Sequence, residues 1–246
     1  MMNRRNFLTL MGTPLLASSD LFIENEEKLN SSEWLVLLSL RKRLIRLKNY
    51  VGYRQFNIIS YKSALYYARN YSSIGAFTNQ ELSLIDMFFH EDPSKYGFFG
   101  GKTCSNINNN ISKKDIVYIS GTGHYLFKGK PFEDYHRLLT DVGDTLILTS
   151  GIRNVIKQTY LYVNKIYKES GSITKASLSI APPSYSYHTI QDFDVGKKGL
   201  AGLNFTPFFA TTKEYRSIRK LHYIDTRYTM NNKDGVRYEP WHIQVI

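Results

Sequence analysis

Cysteine is almost absent from this chain, and its scarcity excludes several classes of protein. The single cysteine, Cys104, cannot form an internal disulfide and cannot supply the paired thiolates of a zinc ribbon. No neighbouring histidine in the sequence supports it as a nucleophile. We therefore expect Cys104 to be a small, partly buried side chain without a chemical role.

Long apolar runs are also lacking, and no segment approaches the length that spans a bilayer. Residues 1–19 contain Arg4-Arg5, then Phe7-Leu8, and a short apolar run that ends in small residues. This pattern is typical of a cleavable export signal and resembles a twin-arginine signal, with a Sec signal or a frayed basic tail as alternatives. We expect an exported protein, periplasmic or associated with the cell wall of a bacterium.

Acidic residues are in deficit, since 21 Asp and Glu face 32 Lys and Arg, and the formal net charge is +11. Such an excess can indicate nucleic-acid binding, because clustered cations release counterions from a phosphate backbone. Here the basic residues are scattered apart from one patch beginning at Arg41-Lys42-Arg43, and no nucleic-acid module is recognisable. We expect no nucleic-acid partner; in an exported protein the same charge would favour anionic material such as the cell wall.

Helical spacing dominates the first part of the chain. Apolar residues recur at that spacing over residues 32–69, where Gly52 should divide the segment into two helices. Thr78 and Glu81 form a capping-box pattern ahead of a further helix, which Pro93 should end. We therefore predict a helical N-terminal region, residues 20–114.

Short strands and turns are predicted in the remainder, residues 115–246. Residues 116–119 and 145–148 are β-branched runs typical of strands, and residues 153–167 return to helical spacing. Residues 231–235 carry hairpin signals ahead of a predicted terminal strand near residues 236–245. The expected fold class is α+β, with the helical region packed on a mainly antiparallel sheet.

The last sixty residues or so contain the side chains that a hydrolytic zinc site requires. They supply His188, the pair Asp192 and Asp194, Glu239 and His242. A catalytic zinc ion uses three nitrogen or oxygen ligands, keeps one position open, and needs a separate carboxylate as base. Two histidines, one aspartate and the glutamate could fill these roles if the fold gathers them, although a lone histidine is more often an ordinary core or surface residue.

Other catalytic motifs are missing. His90-Glu91 is not followed by a second histidine at helical spacing, and no Gly-x-Ser-x-Gly elbow surrounds Ser186. The glycine-rich segment around His124 lacks the lysine and hydroxyl pair of a phosphate loop. We expect this segment to form a structural turn that brings His124, at most, near the cleft.

Three ordered motifs carry a family resemblance. The sequence resembles the VanY-type D-alanyl-D-alanine carboxypeptidases at three places. These are Ser186-x-His188 followed by an aspartate, the later Glu239-x-Trp-His242, and the upstream Ser150-Gly151-Ile152-Arg153 with Gln158. The enzymes of this family are zinc metallopeptidases of the group shared with lysostaphin and the hedgehog signalling domain. The resemblance extends from about Tyr118 to the C-terminus.

The resemblance implies a role for each matched residue. His188, Asp194 and His242 would bind one Zn²⁺ ion, and Glu239 would be the general base. Arg153 would hold the substrate's carboxylate or polarise the scissile carbonyl, and Ser186 and Gln158 would bind the peptide. The family's motif places its aspartate one residue later than Asp194, which leaves Asp192 as a rival ligand or as a residue that orients a histidine.

The expected function is thus zinc-dependent release of a terminal D-alanine from peptidoglycan stem peptides. An endopeptidase with the same zinc site is one alternative. A non-catalytic wall-binding protein is another, although a structural metal site would not require the spare Glu239. Residues 115–246 would be the zinc peptidase domain, and the oligomeric state is left open.

Overall fold

The computed structural model describes residues 26–246, and the export signal predicted for residues 1–19 lies outside them. Over the described residues the chain forms eight α-helices: α1 (Ser31–Val51), α2 (Tyr53–Phe56), α3 (Tyr61–Asn70), α4 (Asn79–His90), α5 (Lys130–Val142), α6 (Val155–Lys168), α7 (Ile173–Ser177) and α8 (Lys213–Ile218). Among these residues, no helix combines the length and apolar character needed to cross a bilayer.

Within the described part of the chain, six strands form two antiparallel sheets: β1 (Ile116–Ile119), β2 (His124–Phe127), β3 (Leu146–Ser150), β4 (Phe193–Lys197), β5 (Asp225–Thr226) and β6 (His242–Gln244). Strands β1 and β2 form a hairpin, and the other four follow the order β3-β4-β6-β5. The combination of helices with antiparallel sheets confirms the predicted α+β class.

Local sequence signals explain the helix boundaries in the first part of the chain. Thr78 and Glu81 form the predicted capping box of α4, and α1 begins with a similar pair, Asn30 and Glu33. Helix α1 stops at Gly52, whose φ of 80° is readily adopted only by glycine. These devices satisfy backbone N–H groups that would otherwise have no partner.

The two largest hydrophobic cores among residues 26–246 are separate from each other. One lies among the helices and includes Leu44 of α1, Phe88 of α4, and Ile156 and Tyr162 of α6. Because α6 belongs to this helical core, packing is continuous across the domain boundary predicted at residue 115. The division into a helical region and a peptidase domain stays a prediction.

The second core lies against the four-stranded sheet. It includes Phe193 and Val195 of β4 and Ile243 of β6, with α5 and α8 packed against it. Side chains alternate between the two faces of a strand, so Asp194 and His242, next to these core residues, lie on the opposite face. The apolar pattern of β4 and β6 therefore decides which polar residues face away from the core.

The predicted terminal strand is shorter than expected, since β6 covers only His242–Gln244. The prediction is wrong for residues 236–241, because their backbone groups bond to other segments. The Arg237 N–H donates to the Leu178 carbonyl, and the Glu239 N–H donates to the Tyr228 carbonyl. The segment consequently folds back over the sheet and places Glu239 beside β6.

Candidate metal and catalytic site

Strand register aligns the predicted site residues. Asp194 of β4 lies opposite Ser150 of β3 on one side and His242 of β6 on the other. His188 precedes β4 in the short 3₁₀-helix Tyr187–Thr189. The fold thus brings three residues that are distant in sequence to one point of the sheet.

Three donor atoms meet at this point. Asp194 Oδ1 lies 3.3 Å from His188 Nε2 and 3.3 Å from His242 Nδ1, and the donor atoms lie within 4.8 Å of one another. All three residues are buried. This arrangement could hold a single metal ion.

Hydrogen bonds orient both imidazoles so that a lone pair faces the cluster. His188 Nδ1 lies 2.9 Å from the Gly151 carbonyl oxygen, which can only accept, so Nδ1 carries the hydrogen and Nε2 does not. His242 Nε2 lies 3.0 Å from Asp192 Oδ2 and by the same reasoning donates to it, so Nδ1 is the ring nitrogen that faces Asp194. Such partners are the usual means of fixing the orientation of metal-binding histidines.

Glycine is required at residue 151 for this orientation. A Cβ atom there would lie 2.1 Å from the Tyr125 carbonyl oxygen of β2. The Ile152 N–H donates to the same oxygen at 2.8 Å, so the two segments are in close contact. The absence of a side chain lets the Gly151 carbonyl reach His188.

Asp192 and Asp194 have different surroundings. Asp192 accepts hydrogen bonds from Arg227, from the Val245 N–H and from His242. Burial alone would raise its pKa, but the bonds from His242 and Arg227 lower the pKa to about 2. Asp194 therefore lies in the cluster, whereas Asp192 orients His242 from outside it.

The charge state of the cluster suits a cation. Burial and the Arg153 guanidinium lower the pKa of His188 to about 4, so its imidazole is neutral near pH 7. Burial would raise the pKa of Asp194, but His188 and Arg153 hold it well below its usual range. Metal ligands must be deprotonated in this way, as a neutral imidazole and an ionised carboxylate.

Two of the donor atoms have no hydrogen-bond partner among the described residues. Both His188 Nε2 and Asp194 Oδ1 are buried and unpaired. Buried polar atoms are nearly always satisfied, so an unpaired acceptor pair that converges with His242 Nδ1 fits a bound cation. Two imidazoles and one carboxylate form a donor set that zinc accepts.

Glu239 lies beside the cluster without belonging to it. Its Oε2 is 4.0 Å from His242 Nδ1, and its Oε1 is 3.6 Å from Arg237 Nε. Burial raises the pKa of Glu239 to about 7, although His242 opposes the shift. A carboxylate with such a pKa can both accept and release a proton near neutral pH.

A cleft of about 340 Å³ opens onto these residues. Asp194, Glu239 and His242 line the side formed by the sheet, and Tyr53 and Lys157 line the side formed by the helices. Arg153, in the loop before α6, also lines the cleft. A wider hollow of about 490 Å³ beside Arg54 contains no carboxylate, so its size does not make it the better candidate.

The three residues predicted to bind substrate have different positions. Arg153 lines the cleft, where its Nη2 lies 2.5 Å from Asp194 Oδ2 and its Nε donates to Ser150 Oγ at 2.9 Å. Ser186 and Gln158 are buried and do not line the cleft. The side-chain amide of Gln158 donates instead to the Ala181 carbonyl at 2.7 Å. Their assignment to peptide binding stays a prediction.

Sequence reasoning missed Tyr53 and Lys157. Lys157 lies in the first turn of α6, four residues after the matched Arg153, and this nearness in sequence is the one signal that could have indicated it. Tyr53 lies far upstream, where nothing in the local sequence marks it. His124, expected at most near the cleft, contacts it indirectly, since His124 Nε2 lies 3.0 Å from the Tyr53 hydroxyl.

Comparison with known proteins supports the family resemblance. Residues 130–246 match the family model described as VanY: D-alanyl-D-alanine carboxypeptidase. Residues 130–246, a little under half of the chain, are therefore similar to the VanY family of D-alanyl-D-alanine carboxypeptidases. No match was found among curated proteins.

Solved structures similar to the chain include a vancomycin-resistance D,D-pentapeptidase VanY in complex with Zn(II). Its sequence is 23% identical and the TM-score is 0.42. The match covers 53% of this chain and 77% of that chain. Another is the LdcB LD-carboxypeptidase, 21% identical, with a TM-score of 0.46 over 56% of this chain and 70% of that chain.

Proposed function

We propose that the protein is a zinc-dependent D-alanyl-D-alanine carboxypeptidase that acts on peptidoglycan stem peptides. One observation carries the proposal: the donor atoms of His188, Asp194 and His242 converge in a buried cluster with the Glu239 carboxylate beside it. The VanY-type match of residues 130–246 supports the substrate class.

His188, Asp194 and His242 would hold the ion. Zinc with such ligands acts as a Lewis acid toward a carbonyl oxygen and lowers the pKa of a coordinated water to about 7. The chain supplies the rest of the chemistry. Asp192 and the Gly151 carbonyl fix the two imidazoles, and Arg153 holds the carboxylate of Asp194 in place.

Glu239 is the proposed general base and then the general acid. Its carboxylate takes a proton from the attacking water and delivers it to the amine nitrogen of the departing residue, so no net proton is left on the enzyme. Its buried setting suits this exchange, because the ionised and protonated forms are both accessible near neutral pH.

The test is hydrolysis of purified muropeptides that end in D-Ala-D-Ala, followed by mass spectrometry. We expect loss of one alanine, inhibition by a chelator, and recovery on addition of zinc. Asp194→Asn should lose both bound zinc and activity, while the matched control Asp144→Asn, at an exposed aspartate, should keep both. Undiminished hydrolysis by the zinc-free protein would reject the proposal, and internal cleavage would favour the endopeptidase.

Export is proposed on the basis of residues 1–19 and the location of the substrate class. Fractionation of cells that express the full chain tests it. We expect the protein outside the cytoplasm, and retention inside when Arg4 and Arg5 are both replaced by Lys. Cytoplasmic location of the unaltered protein would contradict export.

A further inference from the structure

Lys157 is a buried cation on the helical side of the cleft. It lies in α6, is 5% exposed, and lines the cleft together with Arg153. Its ammonium group lies 4.6 Å from the centre of the Tyr53 ring and 5.9 Å from that of Phe56. The side chain is thus held by packing against aromatic rings.

No carboxylate among residues 26–246 forms an ion pair with Lys157. Two partly buried cations near the site differ in this respect, since Arg153 pairs with Asp194 and Arg227 pairs with Asp192. Burying a charge without a partner is unfavourable. Burial, with Arg153 and Lys48 nearby, lowers the pKa of Lys157 to about 7, which is the expected response of an ammonium group without a counterion.

The remaining cations of the cleft are less suited to bind an anion tightly. Arg153 already uses its Nη2 and Nε on Asp194 and Ser150. Arg237 and Lys168 are exposed, so water screens them, and Arg237 also lies 3.6 Å from Glu239. Lys157 is the cation that is both desolvated and uncompensated.

Tyr53 shields this ammonium group from one side. The Tyr53 hydroxyl lies 3.0 Å from His124 Nε2, and the two rings meet edge to face, which fixes the phenol. Tyr53 belongs to α2, outside residues 130–246 that match the family model. The helical N-terminal region therefore contributes directly to the wall of the cleft.

We propose that Lys157 binds the free carboxylate of the substrate's leaving residue, and so restricts cleavage to the last peptide bond of a chain. This inference rests on the proposed function and adds a specificity-determining residue to it. An incoming carboxylate would supply the missing counterion. A peptide that continues beyond the leaving residue, or ends in an amide, has no negative charge at that position.

The experiment compares two peptides that differ only at the C-terminus, one ending in D-Ala-D-Ala with a free carboxylate and one ending in its amide. For Lys157→Met we expect KM for the free acid to rise by about 10- to 100-fold, the range for a lost hydrogen bond to a charged group, with kcat little changed. Hydrolysis of the amide should stay as slow as with the unaltered enzyme. Lys157→Arg should keep much of the preference.

A binding measurement separates this inference from the proposed function. Calorimetric titration of the zinc-loaded Glu239→Gln protein, which should bind but not hydrolyse, gives the affinity for each peptide. If the protein binds the free acid more tightly than the amide, and Lys157→Met abolishes this difference, the role of Lys157 is supported even if the unaltered protein proves inactive. Equal affinity for acid and amide, or equal losses for both peptides in Lys157→Met, would overturn it even if D-alanine is released.

Discussion

The two walls of the cleft differ in how they handle buried charge. On the sheet wall, Asp192 and Asp194 each have a guanidinium partner, and hydrogen bonds orient both histidines. On the helical wall, Lys157 has no anion among the described residues. The difference indicates that the sheet wall is assembled in advance, whereas the helical wall is completed by a ligand.

The walls also differ in how the chain builds them. The sheet wall follows from the register of β3, β4 and β6, which is set by apolar residues on the opposite face. The helical wall combines α6 with Tyr53, some hundred residues upstream in the sequence. The sheet wall thus holds the catalytic groups in fixed positions, whereas the helical wall recognises the charge of the substrate.

The largest expected effect comes from Glu239 on the sheet wall. Glu239→Gln keeps the shape of the side chain but removes the proton acceptor, so kcat should fall by about 10²- to 10⁴-fold. Bound zinc should be retained, because Glu239 lies beside the ligand cluster. Steady-state kinetics together with metal analysis measure both quantities. Glu133→Gln, at an exposed glutamate of α5, is the control; loss of zinc in Glu239→Gln would make Glu239 a ligand instead.

A smaller effect is expected at Asp192, which orients His242. Asp192→Asn should weaken zinc affinity by about 10- to 100-fold, the usual consequence of losing a partner of a metal-binding histidine. Competition with a chromogenic chelator measures the affinity, and thermal melting checks that Arg227 without its partner does not unfold the protein. If Asp192→Asn lost zinc completely while Asp194→Asn kept it, Asp192 would be the ligand.

The smallest effect is a pH dependence on the helical wall. The Lys157 ammonium is charged below its pKa of about 7 and is faced by Arg153, Lys48, Tyr53 and His124. Anion binding needs the charged form, so KM should rise several-fold between pH of about 7 and about 8 as that form is lost. In Lys157→Arg, whose guanidinium keeps its proton, this rise should vanish. The same pH profile of KM in both proteins would contradict the assignment.

Local patterns account for the part of the fold that was predictable. The capping box at Thr78 and Glu81, the break at Gly52 and the strand over residues 116–119 each depend on a few adjacent residues. The terminal strand was predicted too long, because the hydrogen bonds of residues 236–241 go to partners remote in sequence. Tertiary pairing of this kind leaves no local trace.

The residues of the candidate site also divide into those that sequence motifs could predict and those that only the tertiary structure shows. His188, Asp194 and His242 could be named because their order and spacing form motifs, and the structure brings them together. The distinct position of Asp192 follows only from Arg227 and Val245, which no spacing reveals. Ser186 and Gln158 are buried away from the cleft, and Tyr53 enters it from a region that carries no motif.

The pairing of Asp194 with both Ser150 and His242 also limits how this protein can evolve. Inserting or deleting one residue within β4 would move the side chains on one side of the change to the other face of the sheet. An apolar neighbour could then take the position of Asp194 between Ser150 and His242. Catalysis and core packing would then fail in a single event. Length variation among descendants should therefore be confined to exposed connections, such as residues 229–233, and be absent from β4 itself.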